Sequence, residues 1–359
     1  MQNLIEPPKL RKGDTVAAIS LSWGGASLFK ERYEYAKKYL CDTFQLNLIP
    51  TPNAFKSPEW IYEHPQERLN DLMWCLTNDN VSGIISIIGG DDSIRIYRYI
   101  EDSHLDIIKN NPKIFVGMSD TTTINFLFSA AGIKSLYGPS VLYGFAENGG
   151  MGEYAINSVR NELFEPNKPH IIPENQNGWT LDKVPWKEEF QYTKRKMQEH
   201  MPWKYIQGKS PVQGHLLGGC ADVLEMIKGT KFWPNLQSWN GAILFLETSE
   251  EKPSPDLFKM WLRNYGATGI LERLSGILFA RPGGEIKFTK PDYKILVQEH
   301  IAQFDEFDTA LIEVCKEYGR DDLPIVSRLD FGHSWPMFTI PFGSTAKIDP
   351  ERKQIEILT

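Results

Sequence analysis

The chain has 359 residues, of which 41% are hydrophobic, 24% charged and 12% aromatic, a composition that excludes a disordered or low-complexity protein. Its 39 Lys and Arg stand against 46 Asp and Glu, a net charge of −7 with no basic run, which argues against a nucleic-acid partner. At roughly 100–200 residues per domain, the length implies two domains.

Met1 to Lys9 lacks a basic stretch followed by an apolar one, so it does not read as a signal peptide, and a cytoplasmic location is expected. The longest apolar runs, 84–88 and 241–246, are far shorter than the ~20 residues that cross a bilayer and read as buried strands. From Thr15 to about Asn148, β-rich runs alternate with helical patterns: strands over 15–19, 46–49, 83–88 and 114–118, helices over 28–40, 65–77, near 92–99 and after Ser119. That alternation predicts βαβ units and a mostly parallel sheet flanked by helices over 1–165, with ligands bound beyond the carboxyl ends of the strands.

Between 166 and 210 the pattern breaks into Pro, Asn and Gly around Trp179, Trp186 and Trp203, followed in part by a mixed-charge stretch over 187–200. A segment this long is a linker or a lid over a site. From 211 to 359 the chain turns β-rich, with strands over 241–246, 275–279, 324–326 and 338–340 and helices over 254–265 and 290–298, so a second, smaller mixed domain is expected. The fold class is α/β. Cys41, Cys75, Cys220 and Cys315 have neither C-x-x-C nor metal-ligand spacing; buried free thiols are expected, with no metal or cofactor.

Ser119 lies where an apolar strand meets a helical pattern, the position at which a sharp turn lifts a nucleophile out of a sheet. Gly117 matches the first glycine of G-x-S-x-G, whereas Thr121 replaces the second. The same serine would also suit a helix N-cap, and the local sequence leaves both open. A nucleophilic serine needs a base and a group that orients the base. Of seven histidines, His333 follows a glycine in a loop framed by prolines; His300, in a charged helix, reads as solvated. Glu247 ends an apolar strand and is placed either at the crevice or in a turn-capping role. Gly89 and Gly90 follow another strand and, with the Asp120 N–H, would make an oxyanion hole or else cradle a phosphate.

Taken together, Leu10-Arg-Lys-Gly-Asp-Thr-Val16, Ile88-Gly-Gly-Asp-Asp-Ser93, Val116-Gly-Met-Ser-Asp-Thr-Thr122, Leu244-Phe-Leu-Glu247 and Asp330-Phe-Gly-His-Ser-Trp-Pro-Met-Phe-Thr-Ile-Pro-Phe-Gly343 resemble the serine peptidase family of LD-carboxypeptidases and microcin C self-immunity peptidases. The resemblance implies a homodimeric cytoplasmic enzyme with an amidotransferase-like first domain, needing no metal. It implies a Ser119, Glu247 and His333 triad, with oxyanion donors at Gly90 and Asp120. The segment 175–208 looks like the nucleotide-facing loop of the immunity branch, so Gly89, Trp179 and Trp186 become candidates for binding a peptidyl- or aminoacyl-nucleotide. The alternatives are a murein tetrapeptide LD-carboxypeptidase and, from a different class, a phosphotransferase holding phosphate and magnesium on Gly89-Gly-Asp-Asp92.

Overall fold

A computed structural model describes residues 4–165, 168–287 and 289–358. Met1 to Asn3 of the opening segment, and Pro166 and Asn167 at the start of the expected linker, lie outside the described residues. The first half of the chain runs β1 (Thr15–Ile19), α1 (Gly25–Leu28), α2 (Lys30–Phe44), β2 (Asn47–Pro50), α3 (Pro58–Glu63), α4 (Pro65–Thr77), β3 (Gly83–Ser86), α5 (Asp102–Asn110), β4 (Ile114–Gly117), α6 (Thr122–Ala130), β5 (Ser135–Tyr137) and α7 (Glu153–Leu163). The second half runs β6 (His170–Ile171), β7 (Lys204–Gln207), β8 (Val212–Cys220), α8 (Ala221–Ile227), β9 (Ile243–Glu247), α9 (Pro255–Ala267), β10 (Gly276–Ala280), α10 (Tyr293–Glu317), β11 (Ile325–Leu329), β12 (Ile340–Phe342), β13 (Thr345–Asp349) and β14 (Gln354–Ile357).

The first sheet has the order β12-β5-β4-β3-β1-β2 and is parallel except for β12, which crosses back from the far end of the chain to pair antiparallel with β5. Every residue of β3 and β4 is buried, as strands covered by helices on both faces require. The order reverses between β1 and β3, in register at Val16 opposite Gly83, and a crevice opens at such a reversal. α4 covers one face with Leu69, Leu72, Cys75 and Leu76, apolar positions three and four apart.

The second sheet has the order β6-β14-β13-β8-β9-β10-β11-β7. Its centre, β8 to β11, is parallel, and β13, β14, β6 and β7 flank it antiparallel. The carboxyl end of β8 abuts the first domain, where the Cys220 N–H donates to Thr122 Oγ1 at 3.3 Å. The strand ends of the two sheets therefore face each other across one cleft.

Four local expectations need correction. The helical pattern near 92–99 is a 3₁₀ helix, Ser93–Tyr99. The helix expected to end near 298 continues to Glu317, because Val297, Phe304, Phe307, Leu311 and Val314 keep a buried stripe beneath many charges. His300 lies on that stripe rather than in solvent, with Nε2 3.0 Å from the Pro282 carbonyl. Among the cysteines Cys75, Cys220 and Cys315 are buried free thiols, whereas Cys41 is exposed on α2.

The Trp-bearing segment is fastened to both halves. Its β7 pairs with β11, the Trp203 indole N–H donates to Asp330 at 2.7 Å, and Arg195 pairs with the buried Glu147 at 2.7 Å. Asn148 Nδ2 also holds the Phe190 carbonyl at 2.8 Å. Among the described residues no helix is long and apolar enough to cross a membrane.

Candidate active site

The elbow at Ser119 follows from the side chains around it. Ser119 takes φ +59°, a left-handed backbone that costs a non-glycine residue on the order of 1–3 kcal/mol and that turns the chain sharply away from β4. A 3₁₀ turn, Ser119–Thr121, precedes α6, and the Thr122 hydroxyl closes it onto the Ser119 carbonyl at 2.6 Å. Thr121 explains the missing second glycine. Its Oγ1 would lie 2.4 Å from a Cβ at Gly117 and donates to the Met118 carbonyl at 2.7 Å, so the first glycine makes room for the threonine. Ser119 does not cap with its side chain; its Oγ lies 3.1 Å from His333 Nε2.

His333 reaches the elbow from the loop after β11, and Glu247 stands behind it at the end of β9. His333 Nδ1 is 2.7 Å from Glu247 Oε2, which also accepts the His333 backbone N–H at 3.3 Å. Glu247 is completely buried. Its other oxygen accepts the hydroxyl of Tyr137, and Tyr137 Oη in turn accepts the Ser119 N–H at 3.1 Å. The four residues form a closed ring of hydrogen bonds drawn from both sheets. Burial alone would push the His333 imidazole down, but the Glu247 and Glu250 carboxylates together hold it well above the usual histidine range. Burial, reinforced by Glu247, pushes the Tyr137 phenol well above its ordinary value and keeps it a donor.

Tyr137 escaped the sequence reading. Like Glu247 it ends a buried strand, but that strand is only Ser135–Tyr137 and carries no apolar run or motif to mark it. Gly332 is required for the packing behind the imidazole: at φ +76°, a Cβ would sit 2.5 Å from Glu247 Cγ and 2.6 Å from Oε2. Gly332→Ala is expected to displace Glu247 and lower kcat by about 10²-fold, the usual cost of a roughly 1 Å misplacement, in a protein that still folds. Unchanged kcat would show that the glutamate tolerates the shift.

Gly89 and Gly90 follow β3 and line the same cleft. A Cβ at Gly89 would fall 2.9 Å from Ser119 Cβ and 3.4 Å from the Asp120 nitrogen, so the glycine pair lies directly against the elbow. The loop is tied to it through Ser93, whose N–H donates to Asp120 Oδ2 at 2.7 Å and whose hydroxyl donates to the Asp120 carbonyl at 2.8 Å. Asp92 faces elsewhere, gripped by the buried Arg68 through two bonds of 2.7 and 2.9 Å. One of the two acids required by the phosphate-and-magnesium reading is thereby engaged as a structural anchor.

The cleft has a volume of about 690 Å³. Trp186 lines it, with Phe29 edge-on at 5.3 Å and the Arg32 guanidinium 4.5 Å from the indole centre. Trp179 does not. It is 1% exposed and packs with Leu181 and with Phe304 of α10. Cys220, Glu247 and His333 place ligand-type atoms within 4.8 Å of one another, but both Glu247 oxygens already accept hydrogen bonds and burial pushes the Cys220 thiol well up.

Residues 16–138 match the LD-carboxypeptidase N-terminal domain, and residues 213–348 match the LD-carboxypeptidase C-terminal domain. Together with the two facing sheets, these matches define a two-domain α/β peptidase. The chain belongs to the LD-carboxypeptidase family. It is 26% identical over 97% of its length to the microcin C7 self-immunity protein MccF of Escherichia coli, covering 94% of that protein. It superposes on an MccF-like protein from Streptococcus pneumoniae, solved in complex with AMP, with a TM-score of 0.83 and 28% identity, covering 96% of this chain and 98% of that one. A microcin C7 self-immunity protein in complex with aspartyl sulfamoyl adenosine has the same fold, with a TM-score of 0.81, 23% identity and 98% of each chain covered.

Proposed function

We propose that the protein is a serine hydrolase that cleaves the amide bond of an aminoacyl- or peptidyl-nucleotide. The observation that carries the reading is the line from Glu247 through His333 to Ser119 Oγ, with bonds of 2.7 and 3.1 Å, opening into a cleft beside an aromatic wall. His333 Nε2 takes the Ser119 proton as Oγ adds to the carbonyl carbon, while Glu247 holds the Nδ1–H tautomer. The N–H groups of Gly90 and Asp120 receive the oxyanion; one such donor is typically worth about 3–4 kcal/mol of barrier. His333 then protonates the leaving nitrogen, and water resolves the acyl-enzyme through the same base. In this reading residues 1–165 supply the nucleophile and 211–359 the base and its orienting acid, in a cytoplasmic homodimer.

The nucleotide side rests on Trp186 and on the AMP complex of the pneumococcal relative. With Arg32 against the indole, Trp186 is a fixed platform for a base. Trp186→Ala is expected to weaken AMP binding roughly 5- to 150-fold, the equivalent of about 1–3 kcal/mol for a stacked base, with binding measured by calorimetry. Hydrolysis of aspartyl sulfamoyl adenosine and of a murein tetrapeptide, measured side by side, tests the whole proposal. Cleavage of the tetrapeptide alone would replace it with the cell-wall carboxypeptidase reading.

A further inference from the structure

The hydrolase reading leaves one carboxylate unexplained. Glu250 Oε2 lies 3.0 Å from His333 Nε2, the nitrogen that Ser119 Oγ also approaches to 3.1 Å. That nitrogen carries at most one proton, so a carboxylate and a hydroxyl compete for it. In the competition the carboxylate wins, because a bond between ionised partners is about twice as strong as one to a neutral hydroxyl. A histidine held between Glu247 and Glu250 is an imidazolium, and an imidazolium cannot take the proton of Ser119.

Glu250 is placed to move. It sits three residues beyond Glu247 in the turn after β9, where the Ser249 N–H is anchored on Asp222 at 3.1 Å and the Glu251 N–H on Ser249 Oγ at 3.2 Å. Its side chain is 45% exposed, and it lines the same cavity as Ser119, Gly89 and Trp186. Among the described residues its one ion-pair partner is His333. Lys183 across the cleft attracts it but is itself paired with Glu285. The mutual attraction of Glu250 and His333 is strong enough to hold the Glu250 carboxyl, despite its partial burial, down to about 2. A negative charge is therefore fixed beside the nucleophile, and among the described residues only the catalytic base pairs with it directly, Lys183 acting from farther off.

We propose that Glu250 is the seat for an ammonium group on the acyl side of the substrate, and that binding this ammonium releases His333 to act on Ser119. The inference rests on the hydrolase reading and specifies its substrate class. An aminoacyl group carries its α-ammonium one carbon from the carbonyl under attack, so the cation enters the cleft beside Ser119. There it offers Glu250 a cationic partner of the same charge-assisted kind, one whose charge does not reside on the catalytic base. The proton held between Glu250 and His333 leaves to solvent as the new ion pair forms, and the neutral imidazole remains. An acyl donor whose α-nitrogen is already an amide brings no cation and leaves the latch closed.

The test uses full-length wild type, Glu250→Gln and Glu250→Ala with two probes, aspartyl sulfamoyl adenosine and its N-acetyl derivative, and adds the labelling rate of Ser119 by a fluorophosphonate in the empty cleft. Wild type is expected to prefer the free amine by about tenfold or more in kcat/KM, and both variants to lose that preference. Both variants are also expected to label about tenfold faster than wild type, because the imidazole is no longer held protonated. Retention of the wild-type preference by Glu250→Gln overturns the proposal. Wild type that labels but cleaves neither compound refutes the nucleotide substrate and leaves the hydrolase standing. The labelling comparison then decides the latch, and unchanged rates in both variants overturn it.

Discussion

Ser119→Ala is expected to lower amide hydrolysis by about 10⁵–10⁶-fold and to abolish fluorophosphonate labelling, while the fold survives. In the proposed mechanism the magnitude follows from the way nucleophile and base act as a unit: without Oγ, the imidazole, its carboxylate and the oxyanion donors would have nothing to activate. Some acceleration over water, of the order of 10³-fold, should remain from binding and the oxyanion site. The structural loss is small by comparison. The hydroxyl makes a contact to His333 Nε2 worth about 1 kcal/mol, and the ring through Tyr137 uses the Ser119 N–H, which alanine keeps. Thermal unfolding and kcat, measured on the same preparation, separate the two effects. A variant that hydrolyses at the wild-type rate would place the nucleophile elsewhere.

Glu247→Gln is expected to lower kcat by about 10⁴-fold. Both Glu247 oxygens accept from donors, the Tyr137 hydroxyl on one side and His333 Nδ1 on the other. A glutamine presents one oxygen and one NH₂ group, so a donor meets a donor on one side, and the imidazole loses its orientation or its tautomer. The pH profile carries a second signature. Desolvation pushes the His333 imidazole down, yet the two carboxylates hold it well above the usual value of about 6.5, so kcat/KM, which reports the free enzyme's neutral base, should set in above that value. Removing the Glu247 charge lowers the imidazole's proton affinity and moves the onset to lower pH. The same interaction contributes to stability, with a definite sign. Because the folded state binds the proton more tightly than the unfolded chain, the contribution is fully present below about pH 6.5 and fades as pH rises through the raised folded value. Wild-type kcat with an unshifted profile in Glu247→Gln would remove the glutamate from the mechanism.

Much of the first sheet was legible because its strands are short, mostly apolar and separated by helices of ordinary length. The run 114–118 ending at Ser119 could hardly be read otherwise. The C-terminal part of α10 was missed because its buried stripe lies beneath many charged side chains, and a pattern read over nine residues stops at the charges. His300 was misplaced for the same reason. Trp179 and Trp186 look alike in sequence, seven residues apart in one irregular segment. Which indole faces the cleft depends on where that segment docks, and the anchors that fix it, Glu147, Asn148 and Asp330, lie elsewhere in the chain.

By itself the sequence determined the sharp turn at Ser119, the strand end at Glu247 and the glycine-framed loop at His333, because each is set by neighbours within a few residues. Tertiary structure alone decided that these three meet, since 128 positions separate Ser119 from Glu247 and 86 separate Glu247 from His333. It also supplied the two groups with no local signature. Tyr137 closes the ring from β5, and Glu250 shares the imidazole with Ser119. Local sequence fixes backbone bends and strand ends through short-range sterics and burial, whereas a hydrogen bond between side chains depends on the packing of one whole sheet against another.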